Sequence, residues 1–252
     1  MFRLALALLL AMVPFGAGAN QLSVWPNGSD EGQCEPDSPC ATIGRVCSVA
    51  NSSADRETSI AVTGGVYRHN TSCNIRYHRV VVISADCNNR PDIVLFGNDI
   101  AFYAEDSAIL AVNCVDIRSS GNRSIAFASR QFAIMDVANV RIGQLTGGTV
   151  MSAQEMSKID CISGIALYGS LRYIAQASGM STVNLNCAVS FENTPQINAI
   201  TTAVQKSLIL ASDASWAGAF IGEKYICIDS QIDGATTMPG TDSASVNNCL
   251  AR

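Results

Sequence analysis

Five segments of the chain repeat one pattern: IAFYAEDSAI from Ile100, IAFASRQFAI from Ile125, VMSAQEMSKI from Val150, IAQASGMSTV from Ile174 and ITTAVQKSLI from Ile200. Their starts step by 25, 25, 24 and 26 residues, and nine places on each carries a second β-branched residue, at Ile109, Ile134, Ile159, Val183 and Ile209. A step this regular implies units that stack on their neighbours, because one unit is too small to bury its own apolar face.

Residue type decides between helix and strand. The units are rich in Ile, Val, Thr, Ala and Ser and punctuated by Gly and Asn, and they lack the Glu, Lys and Leu of helical repeats. Val115, Val140, Ile165 and Val189 form one column, and Ile117, Ile142, Leu167 and Phe191 form another two places later. Between them lie Asp116, Arg141, Ala166 and Ser190, polar or small, which is the period of a strand with one buried face. Three short strands and three turns in about 25 residues make one coil of a parallel β-helix, with like positions about 4.8 Å apart between coils. Glu105, Arg130 and Glu155 share a column, as do Asp116 and Arg141, so stacking sets opposite charges side by side. Ala128, Ala153, Ala177 and Ala203 form a further column, on an inward corner or a flat outer face.

Residues 1–19 read as an export signal: Arg3, the apolar run from Leu4 to Val13, then Ala17, Gly18 and Ala19 at a small-residue cleavage pattern. The run is shorter than the about 20 residues that a spanning helix needs, which argues against an anchor. The mature chain then begins at Asn20, and residues 20–252 form one domain: a cap over 20–58, coils over 59–229 and a tail over 230–252. Secretion to an extracellular, periplasmic or cell-envelope location follows, and with it oxidation of cysteines. Cys34, Cys40 and Cys47 share the N-terminal segment, Cys73 and Cys87 bracket a short excursion, and Cys227 and Cys249 can close the tail. Connectivity stays open. Cys114, Cys161 and Cys187 fall in different columns, which leaves room for buried free thiols. There is no Cys-x-x-Cys pair to point to a metal, and no cysteine has a sequence context that would pair it with a base.

A formal charge of −5 with 15% charged residues gives no basic footprint for nucleic acid. After residue 20 no segment reaches membrane-spanning length without polar interruption.

An open-ended stack needs capping. Residues 38–50 supply it, with Ser38 as helix cap, Pro39 at the first position, and Ala41, Ile43, Gly44, Val46, Cys47 and Val49 facing the first coil. The segment WPNGSDEGQCEPDSPCATIGRVCSVA over 25–50, followed by SIAVTGGVYR over 59–68, resembles the opening of right-handed β-helix proteins of the pectin-lyase-like superfamily. Those residues are Gly28, Ser29 and Asp30, then Pro39, Thr42 and Ile43, then Gly65 and Tyr67. The resemblance implies an all-β, right-handed parallel β-helix with a short N-terminal capping helix. The stretch SQIDGATTMPGTDSA over 230–244 is similar to the ends of some β-helix proteins of phage tails and bacterial surfaces.

Superfamily members include lyases, hydrolases, adhesins and proteins that only bind, so the site must decide. A calcium-dependent uronate lyase needs clustered carboxylates and an Arg or Lys base, and a hydrolase needs two carboxylates at a set separation. The best catalytic set that this chain offers is Glu105, Asp106, Arg130 and Glu155, and its stronger reading is an inter-coil ion ladder. The paired-aspartate and Gly-His-Gly motifs of pectin-type hydrolases are absent. His69 and His78 precede the repeat and read as local hydrogen-bonding residues. The turns near 130–133, 155–158 and 179–182 are too short to wall a groove; 119–123 and 193–197 are longer. Tyr168, Tyr173 and Trp216 are the candidates for stacking on a glycan. Sequons at Asn27, Asn51, Asn70 and Asn122 matter only in a eukaryotic secretory pathway. The expectation is a secreted, disulfide-stapled module without recognisable catalytic machinery or cofactor, binding polysaccharide or a surface partner. The alternatives are an atypical lyase or hydrolase of acidic polysaccharide, with calcium only in the lyase case, and a structural spike or adhesin subunit.

Overall fold

The computed structural model describes residues 20–68, 71–77, 79–241, 245–246 and 248–251. The expected export signal, His69, His78 and the Asn70 sequon lie outside them. The chain winds as the expected right-handed parallel β-helix, with each strand pairing in parallel to the equivalent strand of the coils before and after it. Three faces run along the axis. Face A holds Glu57–Val62, Val80–Ala85, Ile109–Asn113, Ile134–Ala138, Lys158–Cys161, Thr182–Asn184, Leu208–Leu210 and Gln231–Asp233, flanked by Asn20–Val24 at one end and Leu250–Ala251 at the other. Face B begins at Gly65–Tyr67 and continues through Pro91–Leu95, Asp116–Ser119 and Val140–Gly143. Face C begins at Cys73–Ile75 and continues through Ile100–Ala104, Ile125–Ser129 and Thr149–Ala153. Faces B and C merge where the long strands Gly164–Ala177 and Ala188–Val204 run through both.

The expected columns of face B are the observed ones: Val140 opposes Ile165, Ile165 opposes Val189, and Ile142 lies between Ile117 and Leu167, all inward and buried. Face A corrects the expected register. Ile109 and Ile134 do pair, but the next residue in that column is Lys158, then Thr182 and Leu208, while Ile159 pairs with Met135. Ile109 and Ile134 are therefore each 38% exposed, whereas Ile159, Val183 and Ile209 are fully buried. The cause is the turn between faces B and C. Arg118 and Gly143 are paired, as are Ile125 and Thr149, so this turn loses one residue from one coil to the next. A slip of one residue exchanges the two faces of every strand that follows. The alanine column resolves in the same way: Ala153, Ala177 and Ala203 stack fully buried, joined by Ala104 and Ser129 in place of Ala128.

Between faces C and A five successive coils turn through two consecutive left-handed residues, as in Gln131 and Phe132 (φ 52° and 63°) and Glu155 and Met156 (φ 54° and 62°). This is the backbone of a type I′ turn, which ordinarily selects Gly or Asn. Here the stack supplies the compensation: Phe132 N donates to Glu155 O (3.3 Å), Met156 N to Gly179 O (2.9 Å) and Met180 N to Gln205 O (3.1 Å), each in the next coil. Just after the turn runs a ladder of buried serines. Ser157 N donates to Ser181 Oγ (3.3 Å), Ser181 N to Ser207 Oγ (3.4 Å) and Ser207 N to Ser230 Oγ (3.2 Å).

All ten cysteines are paired, which corrects the expectation of free thiols at Cys114, Cys161 and Cys187. Cys34–Cys40 is local, and Cys227–Cys249 closes the tail as expected. Cys47–Cys73, Cys87–Cys114 and Cys161–Cys187 span 26, 27 and 26 residues, one coil each, so Cys73 and Cys87 have different partners rather than bracketing an excursion. The physical reason is spacing: equivalent corners of adjacent coils lie one strand separation apart, within the Cα–Cα range that a disulfide needs.

The capping helix, α1, spans Ile43–Ser52 and starts later than the sequence implied. Cys40 is held extended against Asn20–Val24, its N donating to Ser23 O (3.0 Å), so no helix can form through Pro39. Thr42 is the N-cap, accepting from Arg45 N, and Asp30 accepts from Ala41 N (2.9 Å), Thr42 N (3.0 Å) and Thr42 Oγ1 (2.7 Å). The opening motif thus has a mechanical meaning. Gly28 lies where a Cβ would meet the carbonyl oxygens of Pro39 and Cys40 at 2.4 Å, and buried Tyr67 donates from its hydroxyl to Val24 O and Thr63 O. Ile43, Val46, Cys47, Val49 and Ala50 cover the core. Asn51 closes the first edge of face C, its Nδ2 donating to Asn74 O (2.5 Å) and its Oδ1 accepting from Arg76 N (3.1 Å), as a neighbouring strand would. Asn51→Ala is expected to lower stability by about 1–2 kcal/mol, read from the urea midpoint at unchanged m-value.

Candidate functional site

The structure confines the predicted catalytic set to the turns. Glu105 pairs with Arg76 and accepts from Asn74 Nδ2, while Arg130 pairs with Glu155 at 2.6 Å, both side chains nearly half exposed. Asp106 is a left-handed turn residue beside them. The geometry is that of two inter-coil ion pairs at the turns. The aromatic candidates are not brought together either. Tyr168 projects from face B, Tyr173 lies on face C with the Arg172 guanidinium 4.9 Å from its ring centroid, and Trp216 continues the inward Val189 column, packed on Phe191.

Two other places carry more chemistry. On face B the outward column runs Asp92, Asp116, Arg141, Ala166, Ser190, Ala217. Its charged half is an interlocked network. Arg118 grips Asp92 through Nε and Nη2 (2.8 and 2.5 Å), and Arg141 reaches Asp116 (3.2 Å) and, two coils on, Glu192 (2.7 Å). The Tyr168 hydroxyl donates to Asp116 (3.0 Å), and its ring lies beneath the Arg141 guanidinium, 4.5 Å from centroid to Cζ. Burial, reinforced by the negative charge of Asp116, pushes the Tyr168 hydroxyl up, and the Glu192 hydrogen bond holds Arg141 more firmly protonated. Gly143 makes room for that ring: a Cβ there would lie 2.2 Å from it.

Beyond Arg141 the column turns small, and a trench of about 390 Å³ opens along the axis. Ala166, Ser190 and Ala217 form its floor, with Arg141 and Glu192 on one wall and Arg90 on the other. Arg90 is held by the carbonyls of Cys87 (3.1 Å) and Asn139 (2.5 Å), which position its charge without cancelling it. Trp216 lines the same trench, and its indole Nε1 is buried without a hydrogen-bond partner.

On face A, Asp136 stands directly opposite Asp160 of the next coil. Asp136 lines a hollow of about 230 Å³ with Val82, Ser84, Ala111 and Asn113, and burial, then the charge of Asp160, pushes its carboxyl up to about 6. Asp160 Oδ2 pairs with Lys158 (2.6 Å), while its Oδ1 is buried without a donor. The sequence reading missed this pair because its register set Ile134 beside Ile159, which places Asp136 level with Cys161. The recoverable signal was the turn shortened by one residue. Among the described residues no group of three or more His, Cys, Asp and Glu could hold a metal ion, and no helix is long and apolar enough to cross a membrane.

No family model and no curated protein sequence matches the chain. Among solved structures it is similar to a rice weevil pectin methyl esterase at 11% identity and a TM-score of 0.48, covering 96% of this chain and 91% of that one. It is similar to Escherichia coli ybhc at 11% identity and a TM-score of 0.46, covering 93% and 77%, and to a rhamnogalacturonan lyase at 9% and 0.29, covering 90% and 84%.

Tyr168→Phe should destabilise by about 1 kcal/mol through the lost Asp116 bond, and Gly143→Ala by more, because the ring must move. Arg130→Ala or Glu155→Ala should leave the thermal midpoint unchanged; calorimetry on the four variants checks the order.

Proposed function

We propose that the chain is a secreted binding module that seats a polysaccharide in the face B trench. The observation that carries this reading is a preformed groove, floored by small residues and walled by oriented charged groups, on a scaffold whose side chains are already locked. Little ordering entropy is then spent on binding. The tethered Arg90, the Glu192 carboxylate and the Ser190 hydroxyl offer a sugar both donors and acceptors. Five disulfides fit an oxidising location outside the cytosol. Ser190→Trp fills the trench from an outward position without touching the core. Against a panel of neutral and acidic polysaccharides in titration calorimetry, it should lose at least about tenfold in affinity at unchanged thermal midpoint. Equal binding by the variant, or no binding by the parent chain to any polysaccharide, overturns the reading.

The hydrolase alternative has a specific footing of its own on face A. Two carboxylates stand opposite each other on adjacent coils, one raised to about 6 by burial and the other paired with a lysine, the unlike surroundings that an acid and a base need. Under this second reading, release of reducing ends falls at least about a hundredfold in Asp136→Asn and is retained in Arg130→Ala.

A further inference from the structure

The Asp136–Asp160 pair has a property that does not depend on any substrate. Like charges directly opposite each other on paired strands repel, and a stacked position leaves them about one strand spacing, roughly 4.8 Å, apart at the backbone. Asp136 faces few groups that could offset this. Its own strand, Ile134–Ala138, carries no other titratable residue; Ile109–Asn113 on one side presents Ala111 and Asn113; Lys158–Cys161 on the other presents Asp160 and Lys158. Beyond these, Val80–Ala85 offers Val82 and Ser84, and Thr182–Asn184 offers Asn184, none of them charged. Lys158 is committed to Asp160 Oδ2, which leaves Asp160 Oδ1 as a buried acceptor without a donor. The side chain opposite it in the ladder becomes a donor only when it carries a proton.

We propose that Asp136 and Asp160 share a single proton across the gap between their coils, forming a latch that tightens the solenoid in mild acid. The shared proton removes the repulsion and satisfies Asp160 Oδ1 with a charge-assisted bond, stronger than a neutral one. The direction of the pH dependence follows from the Asp136 carboxyl, which burial lifts from 3.8 to about 6. Between those values the folded chain holds more protons than the unfolded one. Stability therefore rises as the pH falls through about 6 and levels off below about 4. A lift of this size corresponds to roughly a hundredfold in proton affinity.

Thermal unfolding between pH 8 and pH 4.5 tests the latch. The parent chain should gain roughly 5 °C in midpoint as the pH falls through 6. Asp136→Asn should match or exceed the parent at pH 8 and lose this gain, whereas Asp213→Asn, which removes an equal charge from an exposed position, should keep it. An undiminished gain in Asp136→Asn, or a parent midpoint flat or falling across this window, overturns the proposal. A carbon-13 titration of the Asp136 carboxyl supplies a second readout: a midpoint near 6 that falls part of the way in Asp160→Asn, burial remaining, supports sharing, and a midpoint near 4 in the parent, or one that Asp160→Asn leaves unmoved, refutes it. Because neither readout uses a polysaccharide, failure of the latch is distinct from failure of the hydrolase reading.

Discussion

Every coil of this protein depends on the next one for its backbone hydrogen bonds. A parallel strand has no partner within its own coil, so the N–H and C=O groups of each face are satisfied only when the coils above and below arrive in register. That requirement explains features which look unfavourable taken singly. Phe132 and Met156 occupy left-handed positions that bulky residues avoid, and they hold them because their amides donate to the following coil. The serine ladder continues the same logic inside the corner, with each hydroxyl taking an amide from the coil before it. At the first edge, where no earlier coil exists, the side-chain amide of Asn51 stands in for a strand.

How much of this was legible depended on turn length. Face B could be read directly, because the residues from Val115 to Val189 keep constant register and their apolar and polar positions alternate cleanly. Face A could not, since one residue lost between Gly143 and Thr149 moves Lys158 into the column where Ile159 was expected. Periodicity detects that coils exist, but only hydrogen bonding locates the turn that absorbs an irregularity. The cysteines were obscured in a similar way. Closeness in sequence favours neighbours such as Cys73 and Cys87, while the solenoid brings together residues one full coil apart. The capping helix was recognised by composition, but its start depended on Cys40 pairing with Ser23, a contact invisible in the local pattern.

The candidate sites divide along the same line. Charges predicted at the turns form inter-coil ion pairs, and the exposed one, Arg130 with Glu155, contributes little to stability. The groups with more constrained surroundings lie on flat faces, where neighbouring coils hold them at fixed spacing. On face B opposite charges interlock and leave a trench where the column becomes small. On face A two like charges meet, and one becomes hard to ionise. Both arise from a single rule of stacking, applied to different side chains.

The bridges between coils also divide the molecule mechanically. Cys87–Cys114 and Cys161–Cys187 each tie one coil to the next, yet residues 115–160 contain no cysteine and so no covalent link. If the ends of the chain were drawn apart, each bridge would short-circuit its own coil, and the load would pass to this unbridged stretch and to residues 188–226. Only backbone and side-chain contacts oppose extension there. Residues 115–160 hold Asp136, Asp160 and Arg141, so both candidate sites draw residues from a part of the solenoid that no bridge protects under tension.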